Sequence, residues 1–135
     1  MENTFVEKPV PHPSPMTRPY WDGARAGKLL FQQCGSCGKT RHYPQLLCKV
    51  CYSADVNWVE GSGSGAVHSW TVAHHAFHPG FAADLPYTLL IVDMAEGVRV
   101  MGRYVGAATL VLGLPVQMTF VNDAQGTPVP TFTSV

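Results

Sequence analysis

Downstream of residue 60 the chain is written in short alternating segments separated by glycine and proline. Gly61-Ser-Gly-Ser-Gly65 leads into Ala66 to His75, where Val67, Ser69, Thr71 and Ala73 fall on one face of an extended segment and His68, Trp70, Val72 and His74 on the other. Phe77 to Pro86, containing Pro79-Gly80, reads as a loop. Tyr87 to Met94 has the near-continuous apolar character of a buried strand, Glu96-Gly97 marks a tight turn, and Val98 to Tyr104 supplies the returning strand of a hairpin. Leu114-Pro115 introduces a strand over Val116 to Val121, followed by a turn at Asn122 to Gly126 and a last extended piece near Thr131-Phe132. Short antiparallel strands without a long helix predict a mainly β protein, with a five-stranded barrel of the oligonucleotide/oligosaccharide-binding (OB) type over residues 61–135.

The pattern upstream is different. Residues 1–16 include Pro9, Pro11, Pro13 and Pro15, which cannot supply a regular ladder of N–H donors, so an extended arm is expected, ordered only where something binds it. Thr17 is placed to cap a short helix at about 18–26, with Pro19 in its first turn and Gly27 at its end. Tyr20 and Trp21 are adjacent and cannot both point where Ala24 points, so at least one is expected at a surface. Leu29-Leu-Phe31 reads as a short strand, and Thr40 to Leu47, containing Tyr43-Pro44, as a hairpin arm. Residues 17–60 thus form a helix and a small module with no core of its own.

The longest apolar runs, such as Tyr87 to Val92, fall far short of the roughly 20 residues of a membrane span, and Met1 to Pro15 lacks the apolar centre of an export signal, so a cytoplasmic protein with no membrane association is expected. The formal net charge is zero. Its distribution is uneven: Arg18, Arg25, Lys28, Lys39, Arg41 and Lys49 face a single acid, Asp22, between residues 17 and 51, whereas the chain after Cys51 carries only Arg99 and Arg103 against six acids. The barrel segment therefore lacks the basic groove that nucleic-acid binding needs, and that function is disfavoured.

Two Cys-x-x-Cys pairs, Cys34-Gly-Ser-Cys37 and Cys48-Lys-Val-Cys51, carry all four cysteines and are separated by ten residues. Two such turns present four thiolates to one tetrahedral ion, a closed site with a structural role, and Gly38 suits a knuckle of positive φ behind the first pair. Zn²⁺ is the expected ion; iron in a rubredoxin-like tetrad is the alternative and would colour the protein, and disulfides are disfavoured without an export signal. His74, His75 and His78, with Asp84 nearby, form the one histidine cluster of the sequence. Adjacent positions on a strand face opposite ways, so joint metal ligation is disfavoured, and a solvent- or partner-facing loop, or contact with an acyl or pantetheine chain, is expected instead. No serine sits at a nucleophile elbow and the closed tetrad leaves no reactive thiol, so the chain is not expected to be catalytic alone.

The residues resemble a known family, the zinc-ribbon plus OB-fold, acyl-CoA-associated proteins catalogued as domain of unknown function 35. The resemblance is carried by Tyr20-Trp21, Gly27-Lys-Leu-Leu-Phe-Gln-Gln-Cys34, Cys37-Gly38, Tyr43-Pro44, Cys48 and Cys51, Trp58-Val-Glu-Gly-Ser-Gly-Ser-Gly65, Ser69-Trp-Thr-Val72, Pro86-Tyr87, Glu96-Gly97, Gly113-Leu-Pro-Val116 and Pro130-Thr-Phe132. It implies a rubredoxin-like zinc ribbon ahead of the barrel. It also implies a non-catalytic accessory subunit of a thiolase-fold enzyme (thiolase, ketoacyl-condensing enzyme or steroid side-chain aldolase), or one accompanying an acyl-CoA hydratase, that stabilises its partner and completes an acyl-CoA channel. A stand-alone acyl-CoA-binding module is the second expectation. Contacts with a coenzyme A thioester or with the partner are expected from Tyr20, Trp21, Arg25, Lys28, Arg41, Lys49, His74, His75, His78, Phe81 and Tyr87. The family often has a second proline and a basic residue where Gln45-Leu46 stand, and proline where Lys49 stands, so a phosphate contact there would fall to Arg41 or Lys49.

Overall fold

Helix α1 spans Arg18–Arg25 in the computed structural model of the chain, which describes residues 6–135. The first five residues of the expected arm lie outside the described residues. Thr17 occupies the cap position but does not cap: its Oγ1 accepts a hydrogen bond from the Ser14 N–H at 2.9 Å, and the Ser14 carbonyl accepts from the N–H groups of Thr17 and Arg18. A turn therefore delivers the chain into the helix, and Pro19, with no N–H to satisfy, fits the first turn. Gly27, at φ 78, ends the helix, with the Lys28 N–H donating back to the Gly23 carbonyl at 2.8 Å.

Three strands follow, β1 (Leu30–Cys34), β2 (Thr40–Arg41) and β3 (Val56–Glu60), in a sheet of order β2-β1-β3. β1 pairs with β3 along its whole length, from Leu30 opposite Glu60 to Cys34 opposite Val56. The expected hairpin arm over Thr40 to Leu47 shrinks to the two residues of β2, and β1 finds its main partner in β3, which the sequence pattern did not suggest. β3 has two exposed residues, then two half-buried ones, then an exposed one, so it never shows the alternation that marks a strand.

β4 (Ser64–Ala73), β5 (Tyr87–Met94), β6 (Arg99–Tyr104), β7 (Pro115–Asn122) and β8 (Pro128–Ser134) close into a barrel of order β4-β5-β6-β8-β7, with β7 returning to β4. Every joint but one is antiparallel, and β6 runs parallel to β8. The all-antiparallel expectation could not hold, because strand direction cannot alternate around a closed ring with an odd number of members. A bulge between Val67 and Ser69 leaves His68 without a partner on β5 and turns it outward. The loop between β4 and β5 contains a 3₁₀ helix, Pro79–Asp84. Among the described residues no helix is long and apolar enough to cross a membrane.

Tyr20 and Leu29, together with the fully buried Phe31, belong to the same core cluster as Leu90, Val92, Val100, Val116 and Phe132 of the barrel. Helix, ribbon and barrel thus share one core, and burying Phe31 alone is worth about 3 kcal/mol. This shared core fixes the ribbon against the β5–β6 hairpin.

Candidate metal centre and ligand-binding surfaces

The metal centre is assembled by two knuckles of similar build. Cys34 ends β1, and the Gly38 N–H donates back to the Cys34 carbonyl at 3.0 Å with Gly38 at φ 77. In the second knuckle the Tyr52 N–H donates to the Cys48 carbonyl at 2.8 Å, and Tyr52 adopts φ 62 although it is not glycine. Backbone N–H groups point at the sulfurs: Ser36 and Cys37 reach Cys34 Sγ at 3.4 and 3.5 Å, and Val50 reaches Cys48 Sγ at 3.4 Å. The N–H groups of Cys37 and then Ser36 bring the Cys34 thiol down to about 6, which favours the thiolate a metal requires.

All four sulfurs lie within 4.8 Å of one another, with Cys34 and Cys51 3.5 Å apart and Cys37 and Cys48 3.7 Å apart. A tetrahedron with Zn–S bonds of about 2.3 Å has edges of about 3.8 Å. The donor set therefore fits a Cys₄ ion with little adjustment. No fifth position is provided, so the geometry is that of a closed, structural centre.

Beside the centre, where the ribbon meets the β5–β6 hairpin, lies a cavity of about 380 Å³ lined by Lys39, Arg41, His42 and Lys49 on one side and Asp93 and Arg99 on the other. Arg41 is 6% exposed; its Nε donates to Gln32 Oε1 at 2.7 Å and its Nη2 to the Gln45 carbonyl at 3.2 Å. The His42 ring is packed among Tyr20, Phe31 and Tyr43, with centroids 5.5, 5.3 and 4.0 Å away, and burial pushes its pKa down to about 4. It is therefore neutral at physiological pH. Asp93 is held ionised by Arg99, whose Nε donates to it at 2.8 Å, and His68 lies 3.4 Å from the same carboxylate.

A second, larger groove of about 860 Å³ crosses the outer face of the barrel between Phe81, Tyr87, Met101, Arg103 and Val129, and Pro9-Val-Pro11 of the arm forms one rim. Its polar end is a cluster around Asp84, which meets Lys8 at 3.3 Å and Arg103 at 3.4 Å. Lys8 also stands 5.6 Å over the Phe81 ring, and the Arg103 guanidinium 4.6 Å over Tyr87. The arm from Lys8 onward is thus held by the barrel itself. Between cavity and groove stands Tyr43, whose Oη accepts from the Met101 N–H at 3.1 Å.

The expected contact residues do not form one surface. Arg41 and Lys49 meet in the cavity, and Phe81 and Tyr87 meet in the groove. Tyr20 is a correction: at 7% exposure it belongs to the core, and burial raises its hydroxyl to about 12, so the surface role falls to the half-buried Trp21. Arg25 pairs with Asp22 at 3.6 Å on the exposed side of α1, and Lys28 is exposed beyond it. His78 is half-buried, and its Nδ1 accepts from the Gly80 N–H at 3.0 Å and caps the 3₁₀ helix. His74 and His75 are exposed after β4, His75 edge-on to Phe77, which is 90% exposed. Gln32, His42, Asp84, Arg103 and Lys8 gained their roles only from the fold, since each is brought to its site from a distant stretch of chain.

Two family models match the chain in tandem, "ChsH2, rubredoxin-like zinc ribbon domain" over residues 21–57 and "ChsH2, C-terminal OB-fold domain" over residues 58–121. The solved structure of an Ltp2-ChsH2(DUF35) aldolase contains a chain that superposes with a TM-score of 0.81 at 32% identity, covering 92% of this chain and 98% of that one. The probable enoyl-CoA hydratase alpha subunit of Thermomonospora curvata is 34% identical over 84% of this chain and 35% of its own length. The 3-oxo-4,17-pregnadiene-20-carboxyl-CoA hydratase alpha subunit of Mycobacterium tuberculosis is 34% identical over 76% of this chain and 33% of its own. The chain therefore spans about a third of the length of these two curated relatives.

Proposed function

From the premise that this chain belongs to the DUF35 family, which joins a ChsH2-type zinc ribbon to an OB-fold domain, we propose that it is a non-catalytic accessory subunit of a thiolase-fold enzyme acting on acyl-CoA. It stabilises that enzyme and supplies one wall of its acyl-CoA channel. The observation that carries the reading is the likeness, over nearly the full length of both chains, to the DUF35 component of an aldolase assembly. The chemistry of the surface agrees with it. The chain offers an apolar groove with aromatic walls and a separate cationic cavity, the two environments that the acyl-pantetheine and phosphate ends of a CoA thioester require.

In this reading Cys34, Cys37, Cys48 and Cys51 hold a structural Zn²⁺, which when bound fixes the two knuckles and takes no part in turnover. Phe81 and Tyr87 receive the pantetheine and acyl portion, and Arg41 and Lys49 lie on the side that receives phosphate. Trp21 and the exposed loop with His74, His75 and Phe77 face the partner. The cytoplasm is the compartment that such a partner and a reduced Cys₄ site require.

A hydratase partner is the second reading, favoured by the two relatives named as hydratase alpha subunits. Affinity purification from the native host decides between them: recovery of a thiolase-like chain supports the first and recovery of a hydratase chain the second. A monomer that turns over substrate alone would refute both. Calorimetry with acetyl-CoA tests the stand-alone binding module, because a subunit that only completes a shared channel binds weakly by itself.

A further inference from the structure

Two buried nitrogens at the junction of ribbon and barrel have no hydrogen-bond partner: Nη1 of Arg41 and Nε2 of His42. Both residues line the same cavity. A buried polar group without a partner costs about 1–3 kcal/mol, and more where it is charged, so two adjacent ones call for an explanation. The surroundings indicate what would satisfy them. Lys39 and Lys49 border the cavity with no ion-pair partner among the described residues, and Arg99 borders it from the barrel side. The one carboxylate in the wall, Asp93, is already engaged by Arg99 and His68. Four cations and a neutral imidazole thus surround a space whose single acid is occupied.

We propose that this cavity is an oxyanion site for a phosphate ester, with Arg41 and His42 donating from its floor and Lys39, Lys49 and Arg99 closing over the charge. Arg41 is held for this by Gln32 at Nε and by the Gln45 carbonyl at Nη2, which leaves Nη1 as the nitrogen free to donate to an oxyanion.

The position of the cavity names the ester. Arg99, Met101 and Arg103 alternate along β6 and so share its outer face, with Arg99 in the cavity and Met101 and Arg103 in the groove. That face spans about 13 Å at the rise of a strand. A phosphate seated in the cavity would therefore carry an extended, largely apolar tail past Tyr43 into the groove. Resting on the acyl-CoA reading above, this assigns the phosphate end of a CoA thioester to the cavity and its pantetheine to β6.

The test is NMR on the full, zinc-loaded chain titrated separately with inorganic phosphate, CoA and 3′-dephospho-CoA, following the Arg41 guanidinium and His42 imidazole signals. Shifts at both with CoA, weakened about tenfold in Lys39→Ala/Lys49→Ala, are expected, since both lysines are exposed and their removal leaves the fold intact. Retained shifts with dephospho-CoA would place the pyrophosphate in the cavity, and lost shifts the 3′-phosphate; either supports the site. Shifts with inorganic phosphate but none with CoA would keep the oxyanion site and remove the CoA reading. CoA-induced shifts confined to the groove, at Tyr87 and Leu89, would keep the CoA reading and overturn the site. No shift at Arg41 or His42 with any of the three would overturn it as well.

Discussion

Arg41 Nε donates to Oε1 of Gln32 across 2.7 Å in a setting where neither residue is more than 6% exposed. The same oxygen accepts from the Gln45 N–H at 2.8 Å, so one amide joins β1, β2 and the loop that leads to the second cysteine pair. Replacing Gln32 by leucine keeps the volume and strands a buried guanidinium. A loss of about 2–3 kcal/mol in unfolding free energy is expected, measured by urea denaturation of the zinc-loaded protein. Gln32→Glu, which restores an acceptor and adds a counter-charge, should recover most of it.

Little of this junction could be read in the sequence. The barrel strands were legible because each carries its own alternation or apolar run between glycines and prolines, as Tyr87–Met94 and Val116–Val121 do. The cysteine tetrad was legible because its spacing is local to each knuckle. Gln32, His42 and Asp84 were not, because a polar residue inside a short strand or loop looks solvated until a distant segment covers it. Tyr20 failed for the same reason in reverse: the helix alone cannot say that Phe120 and His42 will close over one of its two aromatics.

Removing the metal should unfold more than the ribbon. Phe31 and Leu29 are ribbon residues in the barrel's core, so loss of a centre worth on the order of 10 kcal/mol takes part of that core with it. Cys48→Ala is expected to abolish the single equivalent of zinc found by elemental analysis and to remove the near-ultraviolet circular dichroism of the buried aromatics, with far-ultraviolet strand signal partly kept.

His42 sets a pH dependence. Its pKa is lowered from 6.5 to about 4 by burial, so between these values the unfolded chain binds a proton that the folded chain does not. Stability therefore rises with pH across that window and is lost as pH falls from 6.5 toward 4, by up to about 3 kcal/mol. Denaturation midpoints across the window, compared with His42→Phe, should show the slope flattened in the variant.

Gly61 marks the passage from ribbon to barrel, and its role is close approach. A Cβ there would meet Cε2 of the fully buried Phe31 at 2.6 Å. Gly61→Ala must displace a ring that the shared core holds on every side, at a cost of about 1–3 kcal/mol. Differential scanning calorimetry should show a lowered Tm with zinc content unchanged, which separates damage to the core from damage to the metal centre.

The arm offers the sharpest test of how the groove is governed. At Gly80 a Cβ would lie 2.7 Å from the Glu7 carbonyl oxygen and 2.8 Å from Lys8 Cα, so only glycine lets the arm lie against the 3₁₀ helix. Gly80→Leu should push the arm away while leaving the barrel strands untouched, because the contact is made to the arm alone among the nearest atoms. The Lys8–Asp84 pair is half-buried, worth about 1 kcal/mol, and too weak to resist. Cleavage by a proline-tolerant protease within residues 8–13 should then rise. Binding of an apolar fluorescent probe at the groove should rise with it, because Pro9-Val-Pro11 would no longer form its rim. If cleavage rises while probe binding stays constant, the arm borders the groove without restricting entry to it.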